Sequence, residues 1–352
     1  MTLSAVSTQP GSPPPIRFGG ELPLGCDALL PAPRALPGDV LLFSHGRAAL
    51  GWLIGRRGPF ASAALSAYTC PSVPRFLEAA GLALGLFDHG EPDPLPLIRA
   101  LPKPCLVLVP APFGLSPWLD AAALAAALGE DACVVIDAAQ AAFGFEDFAA
   151  PPGGAVLACP RKTLALGDGA VLRPAALRPG ERESVEALPM PDDVARKKQA
   201  ARALFAAGDP AREAEALTLA QESEAALPAT PHRMSAASRH HFVRVDPAVH
   251  AARRRANAEA LKAALGSDLE SPLAGEGTPF DYPVLVEHRD EVIKRLHARR
   301  VFATPLWPDA RHDPSRHPNA TRLARGLVGL PVDQRYTPDD MVRLAALVRA
   351  CL

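Results

Sequence analysis

Three short stretches of the chain hold residue types that could do chemistry in company. In Ser44-His45-Gly46-Arg47 an apolar run gives way at a glycine to the helical pattern Ala48-Ala49-Leu50. Free backbone N–H groups and the positive end of a helix dipole make such a turn a seat for phosphate, and Arg47 could add a bidentate charge. Taken alone, a glycine turn between strand and helix is common. Asp137 closes the run Val134-Val135-Ile136 and is followed by Ala138-Ala139-Gln140. A carboxylate at the end of a buried strand costs free energy unless a cation, a metal or a hydrogen-bond donor compensates it. Lys162, in Cys159-Pro160-Arg161-Lys162-Thr163, follows another apolar run. Lost solvation and the adjacent Arg161 both favour the neutral amine that a nucleophile needs, although a single lysine after a strand is more commonly a surface residue.

A phosphate seat, a carboxylate and a lysine are together the requirements of one cofactor, pyridoxal 5'-phosphate. It needs an acid facing its ring nitrogen and an amine that holds its aldehyde as an imine. A Rossmann oxidoreductase is disfavoured, because no G-x-G-x-x-G follows the first strand.

Ligands of open α/β sheets gather outside the carboxyl ends of the strands, so the surrounding pattern has to supply strands that end at these three places. It does. Apolar runs at Val40 to Phe43, Ala63 to Ala67, Leu82 to Phe87, Cys105 to Val109, Cys133 to Ile136, Ala155 to Ala158 and Ala170 to Leu172 alternate with helical patterns at Ala48 to Ile54, Val73 to Ala80 and Trp118 to Leu128. Several runs are apolar on both faces, as strands covered by helices on each side must be, which predicts an α/β layer with a mostly parallel central sheet. Residues 1–38 are rich in Pro and Gly and read as an N-terminal arm lying on the body or on a partner subunit. Residues 39–240 read as a large α/β domain that ends in a helical connection over about Gly180 to Leu227. Residues 241–352 read as a small α+β domain, with helices at Val249 to Leu265, Arg289 to Arg299 and Asp339 to Ala350 and strands at Asp281 to Val286 and Val301 to Ala303.

With 37 Lys and Arg against 38 Asp and Glu the formal charge is −1, which argues against a nucleic-acid or membrane-surface partner. The chain is 48% hydrophobic and 21% charged, enough for a sizeable core and against wholesale disorder. Its 39 prolines favour short, punctuated elements over a coiled coil. The cysteines form no C-x-x-C pair, so neither a zinc ribbon nor a disulfide scaffold is expected. No stretch reads as a signal or membrane span, and the expected location is cytoplasmic. His312, His317, His240 and His241 lack metal-ligand spacing and sit in polar sequence, so no metal is expected. Arg253-Arg254-Arg255 reads as a solvated helix face, and Trp307 as packing or as a wall of a substrate pocket.

The same residues resemble the sugar aminotransferase family of the DegT type, a branch of the fold type I pyridoxal-phosphate enzymes, from about Leu41 to the C-terminus. His45-Gly46-Arg47-Ala48-Ala49-Leu50 looks like the family's Ser-Gly-Thr-Ala-Ala-Leu turn, and Asp137-Ala138-Ala139-Gln140 matches its Asp-x-Ala-Gln. The latter, with Lys162 25 residues beyond Asp137 and Gly167-Asp168-Gly169 close behind, is the specific part. The resemblance implies that Asp137 pairs with the pyridinium nitrogen, Gln140 contacts the ring hydroxyl, and Lys162 holds the cofactor and moves the substrate proton. Tyr68 and Cys70, in Ser66-Ala67-Tyr68-Thr69-Cys70, resemble the segment whose aromatic residue covers the cofactor face, with Cys70 at the aromatic place. His232, in Pro231-His232-Arg233-Met234, resembles a segment reaching the phosphate of the neighbouring subunit, which implies a homodimer with shared sites. His45 and Arg47 depart from the usual Ser and Thr, and the serine that ordinarily precedes the lysine is missing around Leu157 to Cys159.

The expected activity is therefore amino transfer, from a small-molecule donor such as glutamate to a keto group on a sugar, nucleotide-linked or free, or a related metabolite. The altered phosphate turn leaves a silent or regulatory relative of the same fold as the alternative. Arg233, Arg239 and Arg311 are candidates to meet an anionic substrate group.

Overall fold

A computed structural model of the chain describes residues 16–267, 269, 271–272 and 275–352; the first fifteen residues of the expected arm lie outside it. The strands are β1 (Phe18–Gly19), β2 (Leu41–Phe43), β3 (Ser62–Ser66), β4 (Ala83–Phe87), β5 (Cys105–Pro110), β6 (Ala132–Ala138), β7 (Ala155–Ala158), β8 (Ala170–Pro174), β9 (Tyr282–Leu285), β10 (Val301–Phe302), β11 (Thr304–Pro305) and β12 (Leu327–Leu330). The helices are α1 (Gly46–Arg57), α2 (Ser72–Ala79), α3 (Leu95–Ala100), α4 (Ala121–Leu128), α5 (Glu181–Glu186) and α6 (Asp192–Ala207). They continue with α7 (Glu213–Ala225), α8 (Ala236–Phe242), α9 (Pro247–Leu265), α10 (Arg289–Ala298), α11 (Pro318–Gly326) and α12 (Pro338–Arg349).

The main sheet has seven strands in the order β2-β8-β7-β6-β5-β3-β4. Strands β7, β6, β5, β3 and β4 run parallel, while β8 is antiparallel to both β7 and β2. Neighbouring residues on each central strand feed opposite faces, as the two-residue period of a strand requires. Val107, Val109, Val134, Ile136 and Val156 join a core with α4 and α8, whereas Leu106, Leu108, Val135 and Leu157 join one with α1, α2 and Val185 of α5. The strands therefore read as continuous apolar runs because both faces are covered.

The helices stop and start where their ends are satisfied. Asp120 accepts from Ala122 and Ala123 N–H and starts α4 three residues later than the apolar pattern suggests, leaving Trp118 in the preceding loop. Asp246 caps α9 with Pro247 in its first turn, and Thr337 and Asp340 form a reciprocal capping box on α12.

A three-stranded antiparallel sheet, β11-β12-β9, packs with α9, α10 and α12 around a separate apolar cluster that includes Leu261, Val284, Leu296, Val328 and Leu344. The described part of the arm lies on its own chain: β1 pairs with β10, and Leu30 and Arg34 N–H groups bond to Arg244 and Val243 carbonyls. Tyr68, Phe113, Leu306, Ala320 and Leu323 form a fourth cluster joining the large sheet to this C-terminal part.

Candidate active site

The carboxyl ends of β5, β6 and β7 and the start of α1 open on one cavity of about 400 Å³. Asp137 comes from the end of β6, and Lys162 from the short 3-10 turn Pro160–Lys162 that follows β7. That turn is closed by Lys162 N–H to Cys159 O at 3.0 Å and Thr163 N–H to Pro160 O at 2.9 Å. Its far side is pinned by Gln334, whose Nε2 donates to Thr163 O at 2.9 Å, and by Asp27, whose Oδ2 accepts from Ala165 N–H at 2.9 Å. Gly169, entering β8, donates to Ser44 O at 2.5 Å and accepts from Arg161 N–H at 3.3 Å, which ties the lysine turn to the phosphate-type turn before α1. Between the glycines, buried Asp168 accepts from Ser235 N–H and Oγ–H at 2.9 and 2.6 Å.

Asp137 accepts one hydrogen bond, from Ala139 N–H at 3.1 Å, and its second oxygen has no protein donor among the described residues. Burial pushes its pKa up, opposed by the positive charge of Lys162 and by the Ala139 bond. The carboxylate thus stands at the cavity floor in want of a cationic or donor partner. Gln140 accepts from Phe113 N–H through Oε1 at 2.8 Å, which fixes its amide orientation and leaves its NH2 as a donor to the cavity. Lys162 makes no hydrogen bond or ion pair through Nζ among the described residues and lines the same cavity.

At the other end stand His45, Gly46 and Arg47. His45 is the N-cap of α1: its Nδ1 accepts from Ala48 N–H at 3.2 Å and its Nε2–H donates to Pro228 O at 3.0 Å. Burial, with the positive charges of Arg161 and Arg47, pushes its pKa down to about 3, so the ring is neutral and both nitrogens are already engaged. The Gly46 N–H faces Cys159 Sγ, the Arg47 N–H is left at the helix start, and the Arg47 guanidinium has no acidic partner among the described residues. A Cβ on Gly46 would come to 3.0 Å from Cys159 Sγ, so glycine lets the turn pack against β7 without displacing that sulfur. Leu157 and Cys159 line this end and offer it no hydroxyl.

Of the nine residues singled out from the sequence, seven line the cavity: His45, Gly46, Arg47, Cys70, Asp137, Gln140 and Lys162. Tyr68 does not. Its side chain is fully buried in the seam, its hydroxyl donates to Leu306 O at 2.8 Å, and its ring packs on His89 and Trp307. Cys70 holds the place beside the cavity, with its Sγ 3.2 Å from Ser72 Oγ. His232 lies outside the cavity, half-buried, its carbonyl bonded to Ser44 N–H and its Nδ1 to Thr230 O. Arg233 and Arg239 pair with Glu186 at the surface, and Arg311 with Glu78, so none of the three lines the cavity. Trp307 both packs on Tyr68 and lines the cavity.

Glu224 was not legible as a site residue. From α7 it reaches Arg161 at 2.5 Å and Lys198 at 3.4 Å; burial works against its charge, but these two cations prevail and bring it down to about 2. An acidic residue on a polar helix carries no mark of such a partner, because the helix docks only in three dimensions. Among the described residues no three His, Cys, Asp or Glu side chains converge as metal ligands, and no helix is long and apolar enough to cross a membrane.

No protein-family model and no curated protein matches the sequence. Solved structures share its fold. A putative sugar aminotransferase, Spr1654 from Streptococcus pneumoniae in its PMP form, superposes with TM-score 0.62 at 12% identity over 89% of this chain and 87% of that one. DesI, solved in the presence of its TDP-sugar product, gives TM-score 0.61 at 20% identity over 89% of this chain and 80% of that one. A DegT DnrJ EryC1 StrS aminotransferase from Brucella abortus gives 0.58 at 15% identity over 88% and 85%. The chain has the fold of these aminotransferases.

Proposed function

We propose that the chain is a DegT-type sugar aminotransferase that uses pyridoxal phosphate to move an amino group, from glutamate, to a keto group on a free or nucleotide-linked sugar. The observation that carries this reading is the convergence of Asp137, Gln140 and Lys162 on one cavity whose far end holds Gly46 and Arg47. Their donor set fits the cofactor. Arg47 and the first N–H groups of α1 would take the phosphate, Gln140 NH2 would donate to the ring hydroxyl, and the unpaired Asp137 oxygen would hold a proton on the ring nitrogen. When bound, the cofactor supplies an electron sink that makes the hydrogen on the substrate's amino-bearing carbon acidic.

Lys162 Nζ would hold the cofactor at its aldehyde carbon and, as a free amine, would take the proton from the substrate carbon and deliver it again. Leu306, Trp307 and Phe280 wall the cavity with apolar surface that excludes water from the reacting face. The likeness in fold to sugar aminotransferases supports the substrate class. A homodimer is part of the proposal, with half-buried His232 offered to the phosphate end of the partner's cavity.

The test is spectroscopic. The purified protein mixed with pyridoxal phosphate should acquire the visible absorption of an aldehyde bonded to a protein amine, and L-glutamate should bleach it. Lys162→Ala should abolish that absorption. Retention of the band in the variant would sink the reading, and a wild-type band indifferent to a panel of amino donors would indicate a silent relative instead.

A further inference from the structure

A second cavity, of about 280 Å³, lies between the β4 and β5 ends and α11, and shares only Pro112 with the cavity that holds Lys162. Pro112, Leu115, Trp118 and Leu323 give it an apolar wall, and Ser116, Asn319 and Arg322 add polar groups. One buried side chain there is unspent. His89 is 5% exposed, and neither of its ring nitrogens has a hydrogen-bond partner among the described residues; Nδ1 is also sealed from solvent. Burial keeps the ring neutral, with a pKa pushed down to about 4 against the pull of Asp88. Of the two neutral forms, one strands an N–H at Nδ1 with no acceptor, and the other strands only a lone pair. The second costs less, because a buried donor without an acceptor is the rarer and dearer defect. His89 therefore offers Nε2–H to the cavity.

The charges around it point the same way. Asp88, the nearest acid in sequence, is occupied: its Oδ1 accepts from His89 N–H and Ala320 N–H, and its Oδ2 from Asn319 N–H. The start of α11 is thereby already satisfied. Arg322, one turn further along α11, lines the cavity and has no acidic partner among the described residues. His89 Nε2–H and the Arg322 guanidinium are thus uncommitted donors at the polar end, where no carboxylate among the described residues lines the cavity, and the opposite walls are an indole and aliphatic surface.

We infer that this cavity is a second small-molecule site and that its ligand is a planar aromatic acid, its ring against Trp118 and its carboxylate toward Arg322 and His89. The site is independent of the amino-transfer reading. It also touches the first cavity through packed rings. His89 packs on Trp118 with centroids 4.4 Å apart and on Tyr68 at 5.5 Å, and Tyr68 packs on Trp307 of the first cavity at 5.2 Å.

Calorimetric titration of the full chain with 2-naphthoate tests this, with neutral 2-naphthamide as the matched control. The acid should bind at least about tenfold more tightly than the amide, the margin of a charge-assisted contact. Arg322→Ala, a change at an exposed position, should bring the acid down to the level of the amide. His89→Phe keeps the ring contacts and removes the donor, so it should weaken both ligands severalfold. Arg47→Met and Lys162→Ala should leave acid binding unchanged. No binding of 2-naphthoate, equal binding of acid and amide, indifference to Arg322→Ala, or loss of binding in Arg47→Met would each overturn the inference.

Discussion

His45 occupies a phosphate-type turn, yet its geometry assigns it to holding the backbone, and this can be measured. Replacing it with alanine removes the N-cap bond to Ala48 N–H, worth about 1 kcal/mol, and the bond to Pro228 O, worth about 1 kcal/mol more. Near neutral pH the variant should therefore be less stable by about 2 kcal/mol in a denaturant titration. Acid changes the comparison. The native ring stays neutral down to about pH 3, whereas the unfolded ring titrates at its ordinary value of about 6.5, so the unfolded chain binds a proton that the native one refuses. Stability contributed by His45 is present above about pH 6.5 and is lost as pH falls toward 3. Between pH ~7.5 and pH ~5.5 the loss is about 1.4 kcal/mol, so the gap between wild type and His45→Ala should shrink from about 2 to about 0.6 kcal/mol. The assay is urea unfolding of both proteins at the two pH values. A gap that is already small near neutrality, or one that stays constant on acidification, would refute the argument that both nitrogens are engaged.

Arg47→Met should weaken pyridoxal phosphate affinity by about tenfold to a hundredfold in an equilibrium titration, since it removes a charged donor from the phosphate end, while leaving thermal stability nearly unchanged. Glu181→Ala should cost about 3 to 5 kcal/mol in denaturant unfolding. It strips a bidentate partner, at 2.9 Å on both arms, from the buried Arg57 side chain. Burial raises the Asp281 pKa to about 7 despite the attraction of Arg254, so its ionised form opposes folding increasingly as pH rises from about 4 to 7. Asp281→Asn should then be near neutral at pH ~4 and stabilising at pH ~8 by about 4 kcal/mol, read from melting curves at both values.

Much of the large sheet was legible because its strands are covered on both sides and each run is apolar along its whole length. Asp137 was legible as a candidate because a carboxylate at the end of such a run has few inexpensive explanations, whereas Lys162, of a type commonly found at the surface after a strand, stood out only in company with Asp137 and the glycine turn. What escaped the sequence is what tertiary docking creates. The pairs β1 with β10 and β11 with β12 are two residues deep, too short to carry a period. Helix α11 is fixed by Asp88, more than two hundred residues upstream, although Pro318 in its first turn was a usable signal. Tyr68 and Cys70 lie two positions apart, and their types alone favour the ring over the thiol at a cofactor face. The structure instead spends the ring in the seam with Trp307, because its hydroxyl finds Leu306 O there.

Because β8 runs against β7 and beside β2, the chain leaving Lys162 returns immediately to the turn that precedes α1, and Gly169 clasps Ser44 by main-chain atoms alone. The span between amine and anion seat is therefore a ruler made of peptide groups, indifferent to which side chains decorate it. A histidine, an arginine, a leucine and a cysteine can stand where small hydroxyls would serve, and the reach from one end of the cavity to the other is still conserved by the weave of the strands.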